Sequence, residues 1–137
     1  MSTKVKSYSV TGARVLLGLI YFVFGLNFFL NFIPNDAQHG EVATNFIHGL
    51  FGTGYFFPFM KTVEILLGAF LLIRLFVPLS LVILAPITLN IFLFHVVLEP
   101  ATAGLAVVML VLNVALLWAY REYFKPILHV KSPVTFN

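Results

Sequence analysis

Glu64 lies inside the apolar run "KTVEILLG", Lys61 to Gly68, where a carboxylate is energetically unfavourable. On a helix, Lys61 precedes Glu64 by three positions and can lie over the same face. Glu64 is therefore the first candidate for chemistry, as a group that binds a ligand or exchanges a proton. The alternative is a structural pair in which Lys61 extends its ammonium group outward from the apolar region.

Four further polar side chains in apolar segments are candidates for the same pocket as Glu64: Asn27, Asn31, Asn90 and His95. Asn27 and Asn31 are four residues apart, as are His95 and Glu99. We predict a ligand-binding or polar pocket formed by Asn27, Asn31, Lys61, Glu64, Asn90 and His95. On an ideal helix Asn90 and His95 point about 140° apart, so their convergence on one pocket stays open. Asparagines that bridge helices and a His95–Glu99 pair are the structural alternatives.

Redox-active thiols and most metal sites are disfavoured. The chain has no cysteine, which excludes thiol chemistry and Cys-based metal sites within it. Its four histidines, His39, His48, His95 and His129, have no ligand spacing, and only His95 falls inside an apolar span. We therefore predict no metal site and consider haem disfavoured. No nucleophile–base constellation or phosphate loop is present.

The composition indicates an integral membrane protein. Of 137 residues, 61% are hydrophobic and 9% are charged, and the mean hydropathy is +1.03, whereas an ordinary soluble domain carries about 25% charged residues. The length allows one domain, residues 1–137. The net charge of +3 comes from few residues and indicates membrane topology; nucleic acid is not an expected partner. The first apolar run is too long for a cleaved signal, so we expect an uncleaved signal-anchor.

Four stretches approach the roughly 20 apolar residues that a membrane-crossing helix needs. They cover about 11–32, 58–75, 78–98 and 100–120, with Pro78 and Pro100 each opening a helix. The turns between the last three are too short for anything but antiparallel neighbours. The predicted fold class is therefore all-α, a transmembrane four-helix antiparallel bundle.

The long connection between the first two spans contains a helical pattern. Its apolar residues recur at helical spacing over about 41–51, and polar residues occupy the opposite face. We predict a short amphipathic interfacial helix at the outer membrane surface. It forms either a lid packed on the bundle or a gate over a site.

The charges predict the orientation. Basic residues flank the cytoplasmic ends of membrane spans. Seven of the eight lie at one side of the predicted bundle: Lys4, Lys6, Arg14, Arg74, Arg121, Lys125 and Lys131. Lys61, Asp36, Glu41 and Glu99 fall on the other side. Both termini should therefore be cytoplasmic.

Small residues predict where helices approach closely. Gly18 and Gly25 share one stripe of the first span, and Gly68 lies in the second span. Arg14, on the same stripe, is expected to contact lipid headgroups beside Arg74. Asn113 in the fourth span is expected to hydrogen-bond within the bundle.

Four ordered motifs carry a family resemblance: "RVLLGLIYFVFGLNFF", "VEILLGAFLLI", "LFHVVLEPA" and "LWAYREYF". Together they resemble the DoxX-like family of small four-helix membrane proteins over nearly the whole chain. The residues that match the types common in that family are Arg14, Gly18, Gly25, Glu64, Gly68 and His95. The resemblance implies a bacterial inner-membrane location and an association with membrane redox or oxidative-stress systems.

Three functions fit these observations. The first is a membrane subunit or accessory factor that binds a quinone, lipid or other small amphipathic ligand in an outer-leaflet pocket around Glu64. The second is an oligomeric proton-coupled transporter that uses Glu64. The third is a structural assembly partner, in which Glu64 only pairs with Lys61. The sequence leaves open whether the chain is an enzyme, a homo-oligomer or part of a larger complex.

Overall fold

The structure is a computed structural model that describes residues 2–34 and 38–136, and these residues form helices and connections without a β-strand. This confirms the predicted all-α class. Asp36, predicted on the outer side, lies outside the described residues. The helices are α1 (Thr3–Leu30), α2 (Glu41–Gly52), α3 (Phe56–Ile73), α4 (Val77–Leu98) and α5 (Gly104–Ala119). A 3₁₀ turn covers Pro100–Thr102, and a 3₁₀ helix covers Arg121–Leu128, which we name the C-terminal segment.

Three helices, α1, α3 and α4, are long and apolar enough to cross a membrane. Helix α5 meets the same test only together with the C-terminal segment, from which it is bent by 74°. The described part of the chain therefore has three candidate spans, or four if the bent pair counts as one. This length and apolarity identify a membrane protein.

Helix α1 starts eight residues earlier than the predicted span at 11. The Ser2 side chain accepts a hydrogen bond from the Val5 N–H at 3.2 Å, which caps the helix. The apolar stretch begins later, so hydropathy alone does not register these first turns. At the other end Asn31 adopts a left-handed conformation with φ 51° and donates its N–H to the Asn27 carbonyl.

Helices α1 and α3 pack against each other in antiparallel directions. Gly18 contacts Gly68 and Leu71, whereas Gly25, further along α1, contacts Lys61 and Ile65, which come earlier in α3. The second close pair is α4 with α5, joined by the 3₁₀ turn. A core of aliphatic side chains joins these pairs: Leu17, Leu67, Leu71, Leu81, Leu84 and Leu116.

The connection between α4 and α5 differs from the prediction that Pro100 opens the last helix. Helix α4 ends at Leu98, and Pro100–Thr102 wind as a 3₁₀ turn stabilised by the Thr102 N–H bonding the Glu99 carbonyl at 3.0 Å. Helix α5 therefore begins only at Gly104 and is 16 residues long. At 1.5 Å per residue it spans about 24 Å.

Helix α2 lies across one end of α1, α3 and α4. Phe51 contacts Phe57 at a ring-centroid distance of 4.5 Å and Phe28 at 5.9 Å, and Phe46 contacts Phe94 at 5.8 Å. We name this the α2 end. The opposite end of the helices, which carries Arg14, Arg74 and Arg121, is the basic end.

Candidate functional site

Glu64 is buried in α3, with 5% of the residue exposed. Its carboxylate accepts a hydrogen bond from the Lys61 ammonium group at 3.0 Å, within an ion pair. The Lys61 side chain keeps 23% exposure. Lys61 therefore reaches the outside while neutralising the carboxylate, an arrangement that lets a charged residue exist in an apolar segment.

The glycine contacts bring α1 against the same part of α3. A Cβ on Gly25 would lie 3.3 Å from the Lys61 carbonyl oxygen, and one on Gly68 would lie 2.8 Å from the Phe22 nitrogen. Gly25 and Gly68 bracket Glu64 on this interface. The backbone of α1 therefore lies close against α3 at Lys61 and at Gly68, about one turn before and one turn after Glu64.

A second buried polar group links three helices. The Tyr21 hydroxyl of α1 bonds the Thr88 hydroxyl of α4, and the Asn113 amide of α5 donates to the same Thr88 oxygen at 3.1 Å. All three residues are at most 1% exposed. The Asn113 Oδ1 atom finds no donor within the described residues. In an apolar surrounding such bonds fix which helices are neighbours.

Sequence reasoning found only part of this group. It predicted a hydrogen-bonding role for Asn113 but did not consider Thr88 or the Tyr21 hydroxyl. Tyr21 lies on the same stripe of the first span as Gly18 and Gly25. This position on the helix-packing face was the sequence feature that could have indicated a hydrogen bond from Tyr21 to another helix. Threonine carried no signal, because its hydroxyl can bond its own helix and is tolerated in apolar helices.

Arg14 does not contact lipid headgroups as predicted. It is buried, with 7% exposure, and its guanidinium donates to the Leu71 carbonyl and, at 3.4 Å, to the Leu72 carbonyl. These carbonyls lie in the last turn of α3, where no further backbone donors are available. Arg14 therefore caps α3 at the negative end of its dipole, while Arg74 is exposed as the left-handed residue after that helix.

The residues of the predicted pocket make separate sets of contacts. Lys61 and Glu64 pair in α3. Asn27 binds the backbone of Ile33 at 2.6 Å and 3.2 Å, and Asn31 is the exposed cap of α1. These two asparagines therefore close the end of α1, and their hydrogen bonds are local.

His95 belongs to a polar cluster at the α2 end. Its Nδ1 lies 3.0 Å from the Thr102 hydroxyl. One turn further along the chain, the Glu99 carboxylate accepts the Gly40 N–H at 2.8 Å and lies 3.4 Å from His39 Nδ1. Gly40 is the N-cap of α2 and has no side chain to cap that helix. Glu99, which directly follows α4, accepts the N–H of this N-cap residue and attaches the start of α2 to the end of α4.

Of the predicted pocket residues, Asn90 lines an open groove on the surface of α4. This groove of about 250 Å³ lies between α2 and α4 and is otherwise apolar. Its lining residues are Phe46, Asn90, Leu93, Phe94, Val97 and Leu98. Glu64 and His95 do not line it. Asn90 therefore offers the only side-chain amide in this concave apolar surface.

In residues 2–34 and 38–136, no three His, Cys, Asp or Glu side chains come together as a candidate metal site. Comparison of the chain with protein-family models, with curated proteins and with solved structures finds no match.

Proposed function

We propose that this chain is a membrane protein with four antiparallel spans and cytoplasmic termini that holds a small amphipathic molecule in the groove between α2 and α4. The ligand class is a molecule with a compact hydrogen-bonding head and an apolar tail, such as a quinone or a lipid. The observation that carries the proposal is the concave apolar groove with Asn90 as its single polar side chain. Ligand sites commonly combine such an apolar lining with a few placed polar groups.

The size of the groove limits what it holds. Small-molecule pockets usually measure about 300–1,000 Å³, and this groove measures about 250 Å³. It therefore suits one ring or the first part of an acyl chain, while the tail extends into the lipid. The Asn90 amide can donate to a carbonyl oxygen and accept from a hydroxyl, so it serves a quinone, a quinol or an ester.

Helix α2 contributes one wall of the groove. Phe46 of α2 forms this wall and contacts Phe94 of α4. The Glu99 carboxylate holds the start of the same helix. An amphipathic helix of this kind suits the outer membrane surface, where it shields a ligand from water.

The family assignment and the cellular context belong to the same proposal. The ordered motifs of the chain support membership in the DoxX-like family, with a role as a membrane subunit or accessory factor of a redox-linked or stress-related system in a bacterial inner membrane. The distribution of basic residues supports cytoplasmic termini. The groove, with Asn90, replaces Glu64 as the centre of ligand binding, because Glu64 is buried and already paired.

The test is equilibrium binding of a short-chain quinone to the purified chain in neutral detergent micelles. Leu93→Trp fills the groove and should weaken binding at least tenfold. Leu105→Trp is the matched control, since Leu105 has nearly the same exposure (44% against 46%) but does not line the groove. A phospholipid that competes with the quinone identifies a lipid as the occupant. Equal binding by both tryptophan variants would contradict the proposal.

The Lys61–Glu64 ion pair supports a second candidate, the structural assembly partner. A carboxylate neutralised within its own helix can serve folding alone. By contrast, a transport mechanism needs a carboxylate that exchanges its proton with the substrate path. If the Glu64→Gln variant binds the ligand normally, this result favours a structural role for Glu64. If the same variant loses pH-coupled flux in liposomes, this result favours transport.

A further inference from the structure

The C-terminal segment leaves the direction of α5 and turns beside the start of α4. The angle between α5 and the segment is 74°. A groove of about 150 Å³ separates the segment from the first turns of α4, and its lining residues are Pro78, Leu79, Val82, Tyr123, Phe124 and Ile127. Pro126 lies within the segment and cannot donate a backbone hydrogen bond, which disfavours continuation as an α-helix. The segment therefore lies across the basic end of the helices.

Apolar and charged side chains are both exposed along the segment. Tyr123, Ile127 and Leu128 are 68–72% exposed. Arg121, Glu122 and Lys125 have side chains that are 50–67% exposed. A soluble surface would not expose this much apolar area on one short segment, whereas the plane of a membrane interface accepts both kinds of side chain.

Trp118 marks the level of this interface. It is the only tryptophan of the chain and is 70% exposed. The Arg121 guanidinium lies 4.6 Å from its ring centroid and donates to the Trp118 carbonyl at 2.9 Å. Tryptophan favours the headgroup region of a bilayer, and a guanidinium stacked on it would be within reach of lipid phosphates.

The charge around the segment is mostly positive. Lys125 pairs with Glu122 at 2.7 Å, and Arg121 lies 4.0 Å from the same carboxylate. Glu122 is the only acidic residue near this end in the sequence, and the basic residues of the same end are Lys4, Lys6, Arg14, Arg74, Arg121, Lys125 and Lys131. A single carboxylate shared by two basic groups leaves a positive excess for an external anion.

The geometry points to a binding surface for anionic phospholipid headgroups, formed by Arg121 and Lys125 beside Trp118. The exposed apolar side chains of the segment enter the acyl region, and the two basic groups contact phosphate. Each basic residue near a membrane surface favours anionic lipid about fivefold. This inference rests on the proposed crossing of the membrane by α5 and is independent of the ligand in the α2–α4 groove.

The native tryptophan permits a direct experiment. The full chain is reconstituted with brominated phosphatidylglycerol or brominated phosphatidylcholine at equal mole fractions, and quenching of Trp118 emission gives the relative occupancy of the two lipids. We expect at least a threefold preference for phosphatidylglycerol, reduced by added salt. The double variant Arg121→Gln/Lys125→Gln should bring the ratio close to one. The matched control, Lys4→Gln/Lys6→Gln, removes two basic residues from α1 and should keep the preference.

A variant that should gain preference for phosphatidylglycerol complements this test, because a folding defect would not be expected to raise that preference. Glu122→Gln removes the competing carboxylate and should raise the preference for phosphatidylglycerol. Equal quenching by both lipids in the native chain would overturn the inference while leaving the groove proposal intact. Absence of quenching by either lipid would overturn it together with the proposed crossing by α5.

Discussion

Gly18 and Gly68 face each other across the α1–α3 contact with backbone against backbone. A Cβ added to Gly18 would lie 2.9 Å from the Gly68 carbonyl oxygen, and one added to Gly68 would lie 2.9 Å from the Gly18 carbonyl oxygen. Neither backbone can move aside as a flexible side chain could. The pair therefore fixes the distance between α1 and the helix that carries Glu64.

Gly18→Ala should destabilise the fold by about 1–3 kcal/mol, because even one methyl group forces the helices apart. Gly12→Ala is the matched control on the same helix, since a Cβ there meets nothing within 4 Å, and better helix propensity should make it neutral or stabilising. Thermal or denaturant unfolding in detergent, followed by circular dichroism, measures both. Equal stabilities of the two variants would contradict the close contact.

Lys61→Met should destabilise the protein by about 2–3 kcal/mol, because it leaves the buried Glu64 carboxylate without its partner. This loss is smaller than for a fully buried ion pair, since Lys61 is partly exposed to solvent. The double variant Lys61→Met/Glu64→Gln should recover much of this loss. Lys125→Met is the control, because the Lys125–Glu122 pair has the same spacing but is exposed and should contribute less than about 1 kcal/mol. Additive effects of the two single substitutions at 61 and 64 would rule out the coupling.

Thr88→Val should cost about 2–4 kcal/mol of unfolding free energy, because it leaves the Tyr21 hydroxyl and the Asn113 amide without a partner while preserving side-chain shape. Thr88→Ser keeps the hydroxyl, loses one methyl group and should cost about 1 kcal/mol. Chemical denaturation compares them. A serine variant less stable than the valine variant would show that packing, and not hydrogen bonding, dominates at this position.

Glu99→Ala should loosen the start of α2, because the Gly40 N–H loses its acceptor. An N-cap contributes about 0.5–2 kcal/mol, which corresponds to a rise of about 2- to 30-fold in local hydrogen exchange. Exchange mass spectrometry on peptides from α2 measures this rise. Glu122→Ala, at the basic end, is the control and should leave α2 unchanged; comparable exchange in both variants would contradict the attachment of α2 through Glu99.

The apolar runs, together with the prolines that limit helices, predicted most of the helical segments. Pro34 indicated that the first span ends near residue 32, and Glu99 before Pro100 indicated the end of α4. The start of α5 escaped prediction, because a proline can open either an α-helix or a 3₁₀ turn, and only packing against α4 selects between them. The first turns of α1 were missed because they are polar and exposed.

The candidate site was less predictable than the helices. Depth along a helix can be counted, but rotation and partner choice depend on packing. Arg14 illustrates this: its sequence position suggests a headgroup contact, whereas the approach of α1 to α3 places it against the Leu71 carbonyl. Asn90 and His95 were expected to point about 140° apart on an ideal helix, and of the two Asn90 lines the groove while His95 lies beside Thr102.

Photolabelling with an azido-quinone, followed by peptide mass spectrometry, tests the proposed groove most directly. We expect the label to be attached within Asn90–Leu98 and at Phe46, and we expect unlabelled quinone to compete for these positions. Leu93→Trp should abolish the labelling, whereas Leu105→Trp should not. Labelling centred on Val63–Gly68 would return the ligand site to Glu64. Uniform labelling of exposed positions of α5 such as Val107, Val111 and Val114 would contradict a specific site.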